Sequence, residues 1–329
     1  MRRGIGFTPM EVRRDVLLRA AALADELGFE VFSVAEGWGL DAAVLLAELA
    51  VRTRRITLVA GVLSVWSRSP GQLAMTAATL HRLSGGRFVL GLGASSPQLV
   101  EGWHDVRYAR PAAKLREVTT RVRALLGGER ATVSAVPAAR PLRLGQRPVP
   151  ELPIWLAASG PRTIAIAAEL ADGWFPLYLR RDRIRAFAPD RPVTVAAGPF
   201  AVVDPDVAVA REAVATCTAT YLSAMGDIYP RLVASQGLAD EVDTVRSTRT
   251  VPPALLDEFT AYGPAKEVRE RLADWDALAG VTIVVLPPGL PWPLIEATIR
   301  AAAPDAGTPA ACRTSGAGAG CRAGGADMC

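Results

Sequence analysis

Residues 56–96 read ITLVAGVLSVWSRSPGQLAMTAATLHRLSGGRFVLGLGASS, and this stretch decides the fold. An apolar β-branched run is followed by a helix that begins at Pro70, a Gly-Gly turn and a second apolar run. Two buried parallel strands joined by a crossover helix have this pattern. Both runs end in small residues, GVLS at 61–64 and GLGASS at 91–96, which leave room for a flat ligand and expose backbone N–H groups. Such strand ends are where α/β proteins place their binding sites.

The same pairing of a short apolar run with an amphipathic run recurs along most of the chain. Besides the two runs above, strands are predicted at 4–7, 30–35, 153–158, 173–177, 192–203 and 280–286. Each is followed by a helical pattern, and the long region 205–262 is predicted to be mostly helical. Eight strands that alternate with helices predict an α/β fold, a single-domain (β/α)8 TIM barrel over residues 1–303.

Two segments fall outside this repeat. Between 129 and 152 the periodicity fails and four prolines mark an insertion, in which we expect one β-hairpin that pairs 131–136 with 141–144. From 304 to 329 the composition becomes Gly/Ala-rich and includes three of the four cysteines. Sequence of this kind cannot bury enough apolar surface to offset its ordering entropy, so we expect a disordered C-terminal tail.

Composition and charge exclude several classes of function. The chain has 37 Lys and Arg against 33 Asp and Glu, and this excess of +4 is spread out, so we expect no nucleic-acid partner. No apolar stretch approaches the roughly 20 residues of a membrane helix, and no membrane partner is expected. Pro9 and Glu11 interrupt the start before a signal sequence could form, which predicts a cytoplasmic location. No cysteine pair has metal-ligand spacing, so no metal site is expected.

The chain carries few side chains that could perform chemistry alone. It has two histidines, His81 and His104, and it lacks HExxH, a P-loop, GxSxG and a cysteine redox pair. Strand ends made mostly of glycine, alanine and serine suit a barrel that holds a cofactor, and the cofactor then performs the reaction on a small-molecule substrate. Trp38, Trp66 and Trp103 lie on predicted strand-end loops, where they either wall a substrate pocket or pack the loops together.

Two strand ends are candidate binding elements. GLGASS at 91–96 is a poor dinucleotide fingerprint because it follows the fourth predicted strand and ends in Ser96; it is either a donor-rich floor under a ring or plain barrel packing. The stretch SGPRT at 159–163 opens a helix, where Pro161 suits the first turn and the open backbone N–H groups attract anions. It is either a phosphate site or an ordinary helix start.

Four stretches together resemble the bacterial luciferase-like superfamily. They are GFEVFSVAEGWGLDA at 28–42, the run at 56–104, PIWLAASGPRTIAIAAELADGWFPL at 153–177 and AYGPAKEVRERLADW at 261–275. Within the superfamily, the chain looks like the branch that uses the deazaflavin coenzyme F420. The resemblance implies a TIM-barrel oxidoreductase, a homodimer, that transfers hydride between F420 and an organic substrate. The alternatives are an FMN-dependent monooxygenase and a non-catalytic deazaflavin- or flavin-binding protein.

The resemblance also implies cofactor-binding positions. In relatives, the third strand ends in a non-prolyl cis peptide behind the central ring of the coenzyme, and here that bond is expected between Gly61 and Val62. The end of the fourth strand supplies the floor beside the coenzyme, and the helix start after the fifth strand supplies the phosphate cradle. The matching residues are Gly93, Ala94 and Ser95 for the floor and Ser159, Gly160, Pro161 and Arg162 for the cradle.

Departures from the family pattern bear on the catalytic residues. Relatives that oxidise a sugar phosphate with F420 carry an Asp-His pair after strand two and a Glu after strand four; this chain has Glu36-Gly37 and Ser96 there. The missing histidine argues against that alcohol oxidation. We therefore predict Glu36 as an acid or a ring-contacting carboxylate, and His104 as a proton donor from the strand-four loop. The alternative for His104 is an ordinary surface histidine.

Overall fold

A closed ring of parallel strands forms the centre of the computed structural model, which describes residues 1–136, 138–187 and 189–304. Neighbouring strands pair in parallel around the ring, and the last pairs with the first to close it. The predicted (β/α)8 barrel is therefore confirmed. In ring order the strands are β1 (Arg3–Phe7), β2 (Val31–Val34), β3 (Thr57–Ala60), β5 (Phe88–Gly93), β6 (Ile154–Ala157), β7 (Gly173–Trp174), β8 (Thr194–Ala197) and β11 (Val281–Leu286).

Helices surround the ring and bury their apolar faces against it. The short helix α4 was not predicted, whereas the crossover helices around the barrel lie where the periodicity placed them. No helix among the described residues is long and apolar enough to cross a membrane. The helices are α1 (Arg14–Glu26), α2 (Ala42–Arg52), α3 (Pro70–Leu83), α4 (Pro97–Gly102), α5 (Pro111–Leu126), α6 (Pro161–Leu170), α7 (Arg181–Arg185), α8 (Val207–Ser223), α9 (Ile228–Ala234), α10 (Ala239–Thr248), α11 (Pro253–Phe259), α12 (Ala265–Asp276) and α13 (Trp292–Ala301).

Three further strands lie outside the ring. β4 (Leu63–Ser64) pairs with β5, while β9 (Phe200–Val203) pairs with β10 (Thr260–Gly263) and touches β11. The prediction of one strand over 192–203 was wrong, because the chain leaves the ring at Gly198-Pro199. A Cβ on Gly198 would overlap the carbonyl of Ile283, so the backbone passes directly against β11 here. The four-residue β10 also interrupts the region predicted to be mostly helical.

The insertion and the tail differ in how far the structure describes them. In the insertion, the expected hairpin reduces to one antiparallel bridge between Arg130 and Arg143, with a hydrogen bond from the Ala131 N–H to the Leu142 carbonyl (2.8 Å). The rest of 129–152 is irregular where it is described. The tail predicted to be disordered lies outside the described residues from 305 onward.

Side-chain size changes along the barrel interior. Inward-facing positions alternate with outward ones along each strand. Near the amino ends of the strands the inward residues form a buried apolar cluster, and toward the carboxyl ends the same alternation reaches Gly61, Gly91, Gly93 and Ala157. The interior is therefore filled at one end, and at the other end β5, β6 and the chain after β3 line it with small residues. The cluster comprises Val31, Val59, Val89, Trp155, Ala196, Val281 and Ile283.

We expect Gly198→Ala to destabilise the barrel by about 3 kcal/mol or more, because the added methyl group meets a backbone carbonyl that cannot move away. Gly145→Ala is the control, since a Cβ there meets no atom within 4 Å. Urea unfolding followed by circular dichroism measures both free energies. Equal stabilities for the two variants would contradict this account of the Gly198 crossing.

Candidate functional site

The peptide bond between Gly61 and Val62 is cis, at the position that the family resemblance predicted. After it, β4 crosses to β5, and the Val62 side chain lies against the inner face of that strand. A Cβ on Gly93 would stand 2.6 Å from Val62 Cγ2, and one on Gly91 would overlap the Ala60 carbonyl oxygen and stand 3.0 Å from Val62 Cγ1. The glycines of GLG therefore admit this crossing, which explains their spacing without a dinucleotide turn. Gly61 and Val62 are themselves half-buried.

Two aromatic side chains hold the end of β5. Trp66 Nε1 donates to the Ala94 carbonyl (2.8 Å), and the Tyr108 hydroxyl donates to the Ser95 carbonyl (3.3 Å). The two rings pack with their centroids 5.5 Å apart. Ser95 has a φ of 58°, a left-handed conformation uncommon for non-glycine residues. Burial raises the pKa of Tyr108, so the phenol stays protonated and remains a donor at neutral pH.

The start of α6 presents open backbone donors. The first N–H of this helix to donate to a backbone carbonyl is that of Ile164, to Gly160 (2.9 Å), so the N–H groups of Arg162 and Thr163 have no acceptor among the described residues. A Cβ on Gly160 would meet only the Thr163 hydroxyl, at 3.8 Å, so there is open space beside residue 160 at the start of the helix. The Arg162 side chain is exposed.

Two side-chain hydrogen bonds support the start of α6. Ser159 Oγ donates to the Leu177 carbonyl (3.3 Å), and the Thr163 hydroxyl donates to the Gly160 carbonyl (2.9 Å). Pro161 is the first residue of the helix, as predicted. Because β5 and β6 pair through Gly93 and Ala157, the predicted floor and cradle lie at adjacent strand ends.

Glu36 lies in an ion pair that the sequence did not reveal. Arg68 donates to both carboxylate oxygens (2.5 and 2.9 Å), and the Ala42 N–H donates to Oε2 (3.1 Å). The side chains of Glu36 and Arg68 are 11% and 15% exposed, and their hydrogen bond raises the pKa of Arg68. Glu36 thus ties the loop after β2 to the loop after β4. An acid role would require it to leave Arg68, and its catalytic role stays a prediction.

His104 follows α4 on the loop between β5 and α5. It is half-buried, its backbone N–H donates to the Leu99 carbonyl (3.3 Å), and its ring makes no hydrogen bond to the part of the chain that the structure describes. The loop places it between Ser95 and Tyr108 in sequence, and its role as a proton donor stays a prediction. His81 lies on α3, with Nε2 3.7 Å from Glu151, away from the strand ends.

Sequence reasoning missed several residues that shape this end of the barrel. Ser33 lies behind the cis bond, where a Cβ on Gly61 would overlap its hydroxyl. Phe175 packs edge-on against Trp155 with centroids 6.4 Å apart and is half-buried. The inward alternation of β2 and of the chain after β7 could have identified both. Tyr108 and Arg68 lie on loops, where no periodic signal exists.

Comparison with known proteins gives consistent results. A family model described as luciferase-like monooxygenase matches residues 5–282. A putative coenzyme F420-dependent oxidoreductase from Mycobacterium tuberculosis is 33% identical over 312 residues, which cover 82% of this chain and 89% of that protein. The coenzyme F420-dependent tetrahydromethanopterin reductase from Methanopyrus kandleri has a TM-score of 0.70 at 20% identity, covering 92% of this chain and 97% of that one.

A flavin enzyme shares the same fold. The oxygenating constituent of 3,6-diketocamphane monooxygenase from Pseudomonas putida, solved in complex with FMN, has a TM-score of 0.68 at 17% identity and covers 93% of this chain and 97% of that one. At these identities the two solved structures show a shared fold. They do not distinguish F420 from FMN for this chain.

We expect Arg68→Met to destabilise the protein by about 3 kcal/mol, because it leaves the Glu36 carboxylate half-buried without its partner. The double variant Arg68→Met/Glu36→Met should recover most of that loss. Arg300→Met is the control, since the exposed Arg300–Glu296 pair is worth at most about 1 kcal/mol. Urea unfolding, which adds no salt that would screen the ion pairs, measures all three free energies. An Arg68→Met cost no larger than that of the control would contradict the account of a buried Arg68–Glu36 pair.

Proposed function

The chain belongs to the luciferase-like monooxygenase family, and on that premise we propose that it binds coenzyme F420 and transfers hydride between this deazaflavin and a small organic substrate. The observation that carries the proposal is the arrangement at three consecutive strand ends. The Gly61–Val62 bond, the end of β5 and the open start of α6 lie side by side at the carboxyl end of the barrel.

The residues present fit such a coenzyme. Val62 and the backbone of 93–95 form a surface without bulky side chains, on which a flat ring can lie. The N–H groups of Arg162 and Thr163 point out of a helix start, which favours an anion, and the Arg162 guanidinium adds a positive charge. These two elements match the two ends of a coenzyme that joins a tricyclic ring to a phosphate.

The residues of the chain favour one type of reaction over another. A deazaflavin, when bound, carries hydride and activates oxygen poorly, because carbon replaces the reactive flavin nitrogen. The chain supplies no histidine beside Glu36 to accept a substrate hydroxyl proton, which disfavours the sugar-phosphate type of alcohol oxidation. His104 on the β5–α5 loop is the residue we propose to deliver a proton to a reduced substrate.

A flavin alternative rests on a specific observation. A barrel of the same fold binds FMN in the Pseudomonas putida monooxygenase, and FMN also joins a tricyclic ring to a phosphate. The floor and the cradle fit either coenzyme, and the 33% identity to the putative coenzyme F420-dependent oxidoreductase from Mycobacterium tuberculosis favours F420. A non-catalytic binding protein is the third candidate, supported by the absence of the Asp-His pair. The homodimer and the cytoplasmic location stay predictions.

Titration of the purified protein with F420, and separately with FMN, tests the proposal. We expect F420 to bind at least about tenfold more tightly than FMN, with its fluorescence quenched on binding. Tighter binding of FMN would move the function to a flavin monooxygenase. Binding of neither coenzyme would overturn the oxidoreductase proposal.

The variant Gly160→Asp tests the cradle. A carboxylate in front of the α6 donors competes with a phosphate and repels it, so we expect coenzyme affinity to fall by about 100-fold. Because a side chain at 160 meets open space, the unfolding temperature should stay near that of the parent protein. Gly145→Asp, on the insertion, is the matched control. Unchanged affinity in Gly160→Asp would remove the cradle assignment.

The variant His104→Ala tests the proton donor. With reduced F420 and cyclohex-2-enone as a probe substrate, we expect turnover to fall by about 100-fold while coenzyme affinity stays unchanged. His81→Ala should behave like the parent enzyme, since His81 lies on α3 away from the strand ends. Equal turnover in both variants would leave Glu36 or water as the proton source.

A further inference from the structure

The segment from Leu177 to Arg180, just after β7, has an unusual conformation. Tyr178 has a φ of 54°, a left-handed value that non-glycine residues rarely adopt, and its side chain is 3% exposed. Such conformations persist where the surrounding structure holds them, and they cluster at functional sites. The ring of Tyr178 packs 5.4–5.5 Å from a set of other rings, those of Phe200, Tyr221, Tyr229 and Phe259.

Gln236, which follows α9, holds this segment from a distance of 58 residues in sequence. Its side-chain amide donates to the Tyr178 carbonyl (2.9 Å) and accepts from the Arg180 N–H (2.8 Å). Its own carbonyl accepts from the Arg180 guanidinium (3.1 Å). Gln236 is 8% exposed, so these bonds form away from water, where an unmet partner is costly.

The held segment in turn contacts the predicted phosphate cradle. The Leu177 carbonyl, one residue before Tyr178, accepts the hydrogen bond from Ser159 Oγ (3.3 Å). The Phe175 N–H donates to the Leu156 carbonyl (2.9 Å), which keeps the chain after β7 alongside the end of β6. Ser159 directly precedes Gly160, the residue before α6. A short path therefore leads from the Gln236 amide to the first turn of that helix.

We infer that Gln236 is a positioning residue for the phosphate-binding end of the coenzyme site. It fixes the backbone of 177–180, and through the Leu177–Ser159 hydrogen bond it fixes the start of α6. This inference rests on the proposed function for its ligand, although the path itself consists of contacts within the chain. The helices between β9 and β10 thereby set coenzyme affinity as well as covering the barrel.

Hydrogen exchange on the coenzyme-free protein tests the path without any ligand. In Gln236→Leu we expect faster amide exchange at 177–181 and also at Ile164, whose N–H donates to the Gly160 carbonyl (2.9 Å), with no change in α1. Gln146→Leu is the matched control, because the Gln146 amide also ties a loop to a helix, bonding Arg82 (3.1 Å) and Thr79 (3.0 Å). Faster exchange at 177–181 with unchanged exchange at Ile164 would overturn the inference.

Coenzyme affinity tests the consequence of the path. We expect Gln236→Leu and Ser159→Ala each to weaken coenzyme binding by about tenfold. Because both residues act on one path, the double variant should bind at most about twofold more weakly than either single variant. A loss of affinity in the double variant equal to the product of the two single losses would overturn the inference. If the parent protein binds neither coenzyme, the proposed function fails while the exchange experiment still decides the path.

A second variant guards against loss of folding in Gln236→Leu. Gln236→Glu keeps an acceptor for the Arg180 N–H and loses the donor to the Tyr178 carbonyl. We expect faster exchange at Ile164 in this variant too, because the carboxylate oxygen that replaces the amide nitrogen faces the carbonyls of Tyr178 and Leu232. Exchange at Ile164 equal to that of the parent protein in this variant would also contradict the positioning role.

Discussion

The contact between Val62 and the inner face of β5 is the constraint on which the rest of the site depends. The chain leaving β3 can cross this close only because 91 and 93 are glycines. That crossing brings β4 onto β5 and joins two strand ends into one surface, beside the open helix start that follows β6. Below this surface, a cluster of apolar side chains, most of them valines, fills the barrel, so the small residues above the cluster shape this part of the site.

The charged groups at this end of the barrel lie where a ring-and-phosphate ligand needs them. Glu36 is the acidic side chain predicted at the site; it accepts from Arg68 and from the Ala42 N–H, and Arg68 also pairs with Asp41 (2.9 Å). The donors at the start of α6 and the Arg162 guanidinium are then left to an anionic ligand. The result is a site with a flat apolar part and a positive part at neighbouring strand ends, which is the combination that a ring-and-phosphate coenzyme requires.

The strands, the crossover helices and the grouping of the floor with the cradle could be predicted from the sequence, because periodicity locates parallel strands whose carboxyl ends share one face. The position of the cis bond came from the family resemblance. The break at Gly198 was missed because apolar runs flank it on both sides. The bonds from Arg68 to Glu36 and from Gln236 to Tyr178 join residues 32 and 58 positions apart, and no local pattern encodes such pairs.

The central claim is that one coenzyme spans the floor and the cradle. A crystal structure of the protein with bound F420 tests it most directly. The account predicts that the deazaflavin ring packs against Val62 and the backbone of 93–95, with its phosphate on the N–H groups of Arg162 and Thr163. A ring bound elsewhere, or a phosphate directed away from the start of α6, would contradict the account.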